Sequence, residues 1–276
     1  MKNSLKCNGE KVTINVHKIH IYTQGNDNAP AIVFMSGHCT VAPVYDFKVL
    51  YEKLQQDFKI IVVEKFGYGY SDICDSPCDI DTLVSIQRQA LMAIGEADPY
   101  ILVPHSMAGI EALRWKQKFP NEVSGIVGID MATPLSFSVW KEEDIKKTVR
   151  LMKILRALKL ASALSSVSEL SLTKEEVEQH VLLKKRNAFN KCCINEAKEV
   201  LQNAKAVGDD GDIQCPMLLF SSNGQDQEQD WVLNQQRFAE KTGAKLIQYD
   251  CGHYIHHFKS DEMSQEIVEF AKSLKG

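Results

Sequence analysis

The chain has 276 residues, 44% hydrophobic and 25% charged, with a formal net charge of −4, the composition of an ordinary globular protein with room for one large domain or one domain carrying an insertion. The slight acidic balance excludes the basic footprint of a nucleic-acid binder, and no apolar run approaches the roughly 20 residues of a membrane span, so no stable membrane association is expected. The opening MKNSLKCNGEKV lacks the apolar stretch of a secretory signal, and Cys74 and Cys78 stand clear of any histidine at zinc-finger spacing, so the eight cysteines are expected to be reduced thiols of a cytoplasmic protein rather than disulfides or zinc ligands.

Lys11–Gln24 alternates in two pieces, Val12-Ile14-Val16 and Ile19-Ile21, which predicts a hairpin or two edge strands broken near His17-Lys18. After the turn Gly25–Asn28, Ala31–Met35 is a continuous apolar run, the pattern of a strand buried on both faces, and it exits into Ser36-Gly37-His38-Cys39-Thr40. Tyr45–Gln56 has helical spacing. Ile60–Val63 is a second buried strand leading into Glu64-Lys65-Phe66-Gly67-Tyr68-Gly69-Tyr70-Ser71-Asp72. Asp79–Ala97 carries Leu83, Ile86, Ala90 and Ile94 on one helical face. Tyr100–Val103, Ala108–Phe119 and Val123–Ile129 then read as strand, helix and strand, with Pro120-Asn121 breaking the helix and Asp130 at the last strand end. This rhythm predicts parallel βαβ units with helices on both faces of the sheet. In such sheets ligands sit at the carboxyl ends of the strands, so the loops after Met35, Val63, Val103 and Ile129 are expected on one edge.

From about Leu135 to Gln214 no strand pattern occurs. Lys141–Leu160 is amphipathic with a basic outer face, Thr173-Lys174-Glu175-Glu176 is a capping box opening a second helix, and Asn195–Ala206 is a third. A segment this long is not a structureless loop. We assign residues 135–211 to a helical cap, inserted between two late strands, and residues 1–134 and 212–276 to the core domain. The alternation resumes with the strand Pro216–Phe220, the turn Asn223–Asp226, the helix Trp231–Lys241, the strand Lys245–Tyr249 and the closing helix Glu262–Leu274.

The chemistry centres on YILVPHSMAGIEALRW, Tyr100–Trp115. Ser106 stands alone between strand and helix, so its hydroxyl is held at the carboxyl edge of the sheet with the helix N-terminus beside it. The stretch resembles the Gly-x-Ser-x-Gly nucleophile elbow of the α/β-hydrolases. Pro104 and Ala108 occupy the two glycine positions, and Gly109 follows one step later. A serine hydroxyl needs a base and that base an orienting acid. His253 follows the last strand behind Gly252, and CGHYIHHF resembles the family's Gly-His signature. The family places its acid after the strand before the cap, where Asp130 stands, or after the strand that follows it. In the second case Gln225 holds the commoner position and Asp226 comes one step late. Asp130 is taken ahead of Asp226, and either keeps the chain order Ser, Asp, His.

For the oxyanion donors, the resemblance implies the N–H of Met107 and a second N–H from the loop after Met35. There Ser36-Gly37-His38 resembles the family's His-Gly-x, pointing to His38, with Cys39 as the alternative. The His38 and His105 side chains are expected to shape the pocket. The Gly67/Gly69 loop resembles the family's Gly-x-Gly-x-Ser turn and not a phosphate loop. A metal site from Cys251, His253, His256 and His257 lacks a clear tetrahedral pattern, so His256 and His257 are expected to be packing or surface residues, and no metal or cofactor is expected. The resemblance implies a capped α/β-hydrolase: a serine hydrolase acting on an ester, thioester or amide of a small molecule through an acyl-enzyme. Serine at the elbow separates the chain from the haloalkane dehalogenase and epoxide hydrolase branches, which use aspartate there. Apolar cap residues such as Met152, Leu155 and Phe137 point to a non-polar substrate portion. The alternatives are a small-molecule receptor that keeps the triad but turns over little, and a catalytically inactive interaction protein.

Overall fold

The computed structural model describes residues 4–160 and 172–274. Residues 161–171, part of the expected cap, lie outside them. Eight strands form one sheet in the order β1-β2-β4-β3-β5-β6-β7-β8. The first two, β1 (Glu10–Ile14) and β2 (His17–Gly25), make an antiparallel hairpin. Its break lies earlier than expected, at Asn15 and Val16, with φ of 47° and 65°. Asn15 tolerates the left-handed region that a tight hairpin needs, and Val16, apolar by pattern, is 88% exposed in the turn. β2 pairs antiparallel with β4 (Lys59–Glu64). From there β3 (Ala31–Met35), β5 (Tyr100–Pro104), β6 (Val123–Ile129), β7 (Met217–Ser221) and β8 (Lys245–Gln248) all run parallel.

The apolar runs of these strands serve two cores at once, because successive side chains point to opposite faces. Val33, Met35, Ile61, Val63 and Leu102 pack on one side with α3 (Ile80–Ala93) and α4 (Ala108–Lys118). Ile32, Phe34, Ile60, Val62 and Val103 pack on the other with α2 (Lys48–Leu54) and the C-terminal helix Ser260–Ser273. Each fully buried Val, Ile or Phe is worth about 1.5–3 kcal/mol, so the centre of the sheet is a rigid base for the loops at its carboxyl edge. The helix expected over Tyr45–Gln56 is split into α1 (Pro43–Asp46) and α2, with Phe47 between them at the base of the second core.

Between β6 and β7 the described residues form a 3₁₀ turn at Pro134–Phe137 and helices α5 (Glu142–Ala157), α6 (Lys174–Asn187) and α7 (Lys191–Asp209). The Thr173–Glu176 capping box opens α6 as expected, with both reciprocal bonds made. α7 starts four residues before its expected beginning, because the Asn190 side chain caps it by accepting from the Cys192 N–H at 2.8 Å. The insertion is bonded onto the loop after β4. Asn190 Nδ2 donates to the Gly67 carbonyl at 2.7 Å, Asn187 Nδ2 to the carbonyls of Val41 and Gly69, and Arg186 to those of Gly69 and Ser71. Among the described residues no helix is long and apolar enough to cross a membrane.

Candidate active site

The Ser106 turn is built by close backbone approach. Ser106 has φ of +52°, a left-handed conformation unusual for a side-chain-bearing residue. Its carbonyl accepts from the N–H of Gly109 and, at 2.7 Å, from that of Ala132 just past β6. A Cβ on Gly109 would stand 2.2 Å from the Ala132 carbonyl oxygen, so the small residue the turn requires is Gly109. This is why Ala108 is acceptable at the preceding position. On the other side, a Cβ on Gly37 would lie 2.7 Å from Ser106 Cβ. The Ser36–Cys39 loop therefore lies directly against the serine.

Asp130 follows β6, is fully buried and has φ of +41°. Its Oδ2 lies 2.7 Å from Nδ1 of His253. Its Oδ1 accepts from the Ser222 N–H and from the Trp231 indole N–H, both at 2.9 Å. Three bonds to fixed donors hold the carboxylate in one orientation, and with Nδ1 facing Asp130 the Nε2 atom of His253 is the one left free. Asp226 is exposed and meets His253 differently: its Oδ2 accepts the backbone N–H of His253 at 3.3 Å. A Cβ on Gly252 would come within 2.9 Å of that same oxygen. Ser106 Oγ and His253 Nε2 are not hydrogen-bonded to each other.

The two candidate donor positions in the loop after β3 differ. The Cys39 N–H donates to the Tyr68 hydroxyl at 3.0 Å, so it is engaged within the protein. The N–H groups of His38 and Met107 meet no acceptor among the described residues. The His38 ring is held aside, with Nε2 2.8 Å from the Cys193 carbonyl of α7. His105 is buried, with Nε2 donating to the His253 carbonyl at 3.3 Å and Nδ1 unpartnered. Burial, and then the nearby His253, push the His105 pKa well below the usual imidazole range, so it stays neutral.

His256 and His257 do pack, and around a partner that pattern alone did not reveal. Both direct Nε2 at the buried carboxylate of Asp46, at 3.3 and 3.1 Å. Burial alone would raise the Asp46 pKa, but the His256 and His257 imidazoles outweigh it and hold the carboxyl far below its ordinary range. The three donor groups lie within 4.8 Å of one another, close enough for a metal ion. His256 Nδ1, however, has no acceptor, so the outer hydrogen bond that orients a metal-binding imidazole is missing. Cys251 and His253 are not part of this cluster. The Gly67–Ser71 loop does not cradle an anion either. The N–H groups of Gly67, Tyr68, Gly69 and Tyr70 are taken by Asp72, Lys65, Val41 and Glu64.

Several residues around the site escaped the sequence reading. Trp231 and Ser222 complete the Asp130 environment. Lys65 is buried between two carboxylates, with Nζ 2.6 Å from Glu111 and 2.6 Å from Glu196. Burial alone would lower the Lys65 pKa, and the two carboxylates more than reverse that. Glu111, a charged residue in the otherwise apolar run after Ser106, was the available signal. Of the cavities in the fold, a small one of about 10 Å³ is walled by Met107, Glu111 and Glu196. One of about 210 Å³ is walled by Pro134, Val207, Phe238 and Lys241, with no site residue among its walls.

The chain is similar in sequence or structure to several known proteins. The uncharacterized protein YbdG of Bacillus subtilis is 29% identical over 98% of this chain and 88% of its own length. A haloalkane dehalogenase, a loop variant of DbeA from Bradyrhizobium elkanii, superposes with a TM-score of 0.74 at 15% identity, over 96% of this chain and 97% of its own. A structure from work on carboxylesterases of the thaumarchaeon Nitrososphaera gargenis gives a TM-score of 0.67 at 15% identity, over 96% and 99%. At these identities the structural likeness carries the fold. The sequence profile of the family described as alpha/beta hydrolase fold matches residues 30–260, which spans the strand before Ser106, the insertion and His253, and the chain therefore belongs to the α/β hydrolase fold family.

Proposed function

We propose that the protein is a serine hydrolase that cleaves an ester, thioester or amide bond of a small molecule through an acyl-enzyme. The observation that carries this reading is the 2.7 Å contact between His253 Nδ1 and the buried, three-fold bonded Asp130 carboxylate, at the same sheet edge as the left-handed Ser106 turn. Ser106 Oγ attacks the carbonyl carbon while His253 Nε2 takes its proton. Asp130 fixes the tautomer and stabilises the imidazolium. The N–H groups of Met107 and His38 receive the developing oxyanion. His253 then returns the proton to the leaving group, and a water deprotonated by the same nitrogen releases the acid.

The described residues of the insertion, 135–160 and 172–211, act as a cap over this edge. Met107 and Cys39 pack into one apolar cluster with Phe137, Ile145, Met152 and Ile194, which supports a substrate with a non-polar acyl or alcohol part. Esterases appear among the structural relatives; a dehalogenase also appears, but Ser106 occupies the position at which that branch carries aspartate.

The test is a fluorophosphonate probe on the wild type and Ser106→Ala, with the labelled residue read by mass spectrometry and turnover followed on short and long aryl esters. The expected result is labelling confined to Ser106 and turnover lost in the variant. An unlabelled Ser106 in folded protein overturns the reading. Labelling without turnover would make the protein a ligand receptor of this fold, and equal turnover of short polar and longer apolar esters would remove the proposed preference.

A further inference from the structure

The loop that carries His38 is not held by the core alone. Gly37–Thr40 is a tight turn, closed by the Thr40 N–H on the Gly37 carbonyl at 3.4 Å. Its third residue, Cys39, has φ of +60°. A non-glycine residue in that region costs on the order of 1 kcal/mol and persists only where its surroundings enforce it. Two contacts do so. The Cys39 N–H donates to the Tyr68 hydroxyl at 3.0 Å, and Tyr68 in turn donates to Glu196 Oε2 at 2.5 Å. The His38 ring is tied to the Cys193 carbonyl. Both anchors, Glu196 and Cys193, belong to α7, so they come from the insertion.

The phenol has one proton, and it is donated in a hydrogen bond to the Glu196 carboxylate. The lone pairs of the oxygen are thereby left facing the Cys39 N–H, which sets the direction of the whole chain of bonds. Burial, followed by the charge of Glu196, holds the Tyr68 pKa well above its ordinary value, so the phenol remains a donor. Glu196 also accepts from Lys65, which reaches Glu111 on α4 one turn beyond Met107. Through Lys65 the same carboxylate is therefore also tied to the helix that follows Met107.

We propose that Tyr68 and Glu196 are positioning residues: through the chain Glu196–Tyr68–Cys39 the insertion sets the His38 N–H, so the oxyanion site is complete only while α7 is seated. This rests on the serine hydrolase reading above. It makes α7 part of the catalytic geometry, because its Glu196 and Cys193 hold the loop that carries the His38 N–H.

The experiment compares an aryl ester with its thionoester, in which sulfur replaces the carbonyl oxygen and accepts hydrogen bonds poorly. Loss of a whole oxyanion donor lowers kcat about 10²–10³-fold. Misplacing one should cost less, roughly 10-fold. Tyr68→Phe is expected to lower kcat on the oxoester by about that factor with KM within about twofold, while the thionoester rate changes little, so the preference for oxygen over sulfur shrinks. Glu196→Gln, of the same shape, should move the same ratio in the same direction, and it carries the test if Tyr68→Phe does not fold. A general loosening of the cap would slow both substrates alike. An unchanged oxygen-to-sulfur ratio in these variants overturns the positioning role while leaving the hydrolase reading intact. A wild type that neither labels at Ser106 nor turns over overturns both.

Discussion

His253 and Asp130 stand 123 positions apart in sequence and 2.7 Å apart in space. The exposed Asp226, much nearer in sequence, reaches only the backbone N–H of the same histidine. The difference comes from topology. β6 and β7 are adjacent parallel strands, so the residue ending β6 is delivered under the loop after β8, whereas Asp226 sits in a surface turn beside Gly252.

That contrast predicts unequal effects of two like substitutions. On the proposed hydrolase mechanism, Asp130→Asn removes the charge that would stabilise the imidazolium and offers Nδ1 the wrong partner, so ester turnover should fall roughly 10³–10⁴-fold. Asp226→Asn should reduce it severalfold at most. Steady-state kinetics on an aryl ester decides the matter, and equal losses would remove Asp130 from the role.

Gly109 should resist enlargement. The Cβ of Gly109→Ala would stand 2.2 Å from the Ala132 carbonyl oxygen, a backbone atom that cannot swing away. Overpacking of this kind costs about 1–3 kcal/mol. Denaturant unfolding should show that loss, whereas Ala108→Gly, at the neighbouring position, should not mimic it through a clash.

Lys65→Met would leave Glu111 and Glu196 buried without their shared cation. Removing one partner of a buried ionic group costs about 3–5 kcal/mol, so a large fall in the urea midpoint is expected. Restoring a neutral pair with Glu111→Gln in the same chain should recover part of it, because one uncompensated carboxylate is then gone.

Acid stability should depend on Asp46. Its folded pKa lies below its unfolded value because the imidazoles outweigh burial, so the unfolded chain binds the proton more tightly. The contribution is fully present above the unfolded value of about 4 and is lost progressively as pH falls below it. Asp46→Asn should lower the melting temperature at neutral pH and flatten its decline below about pH 4. A variant that keeps the wild-type slope would show that other carboxylates govern acid unfolding.

Some of the protein is written locally. The apolar runs of β3 to β7, the helices that alternate with them, the Thr173 capping box and the position of Ser106 between strand and helix follow from periodicity and turn chemistry, which act over a few residues. Periodicity misjudged features where a single residue overrides the pattern: Asn15 turning the hairpin early, Phe47 dividing the helix after β3, and Asn190 capping α7 before its apolar face begins.

What the tertiary structure decided are the choices between residues that are each locally plausible. Asp130 and Asp226 both end a strand or its loop, and only the strand order brings Asp130 to the His253 ring while Asp226 meets its backbone N–H. His38 and Cys39 both lie in the loop after β3, and only Tyr68, arriving from the loop after β4, occupies the Cys39 N–H. Glu196 on the inserted helix and Lys65 and Glu111 in the core carry no mutual signal along the chain. Hydrophobic periodicity records which face of an element is buried, but a buried polar contact depends on which distant groups the packed elements bring within about 3 Å of each other, and that is settled only when the sheet and the insertion close around them.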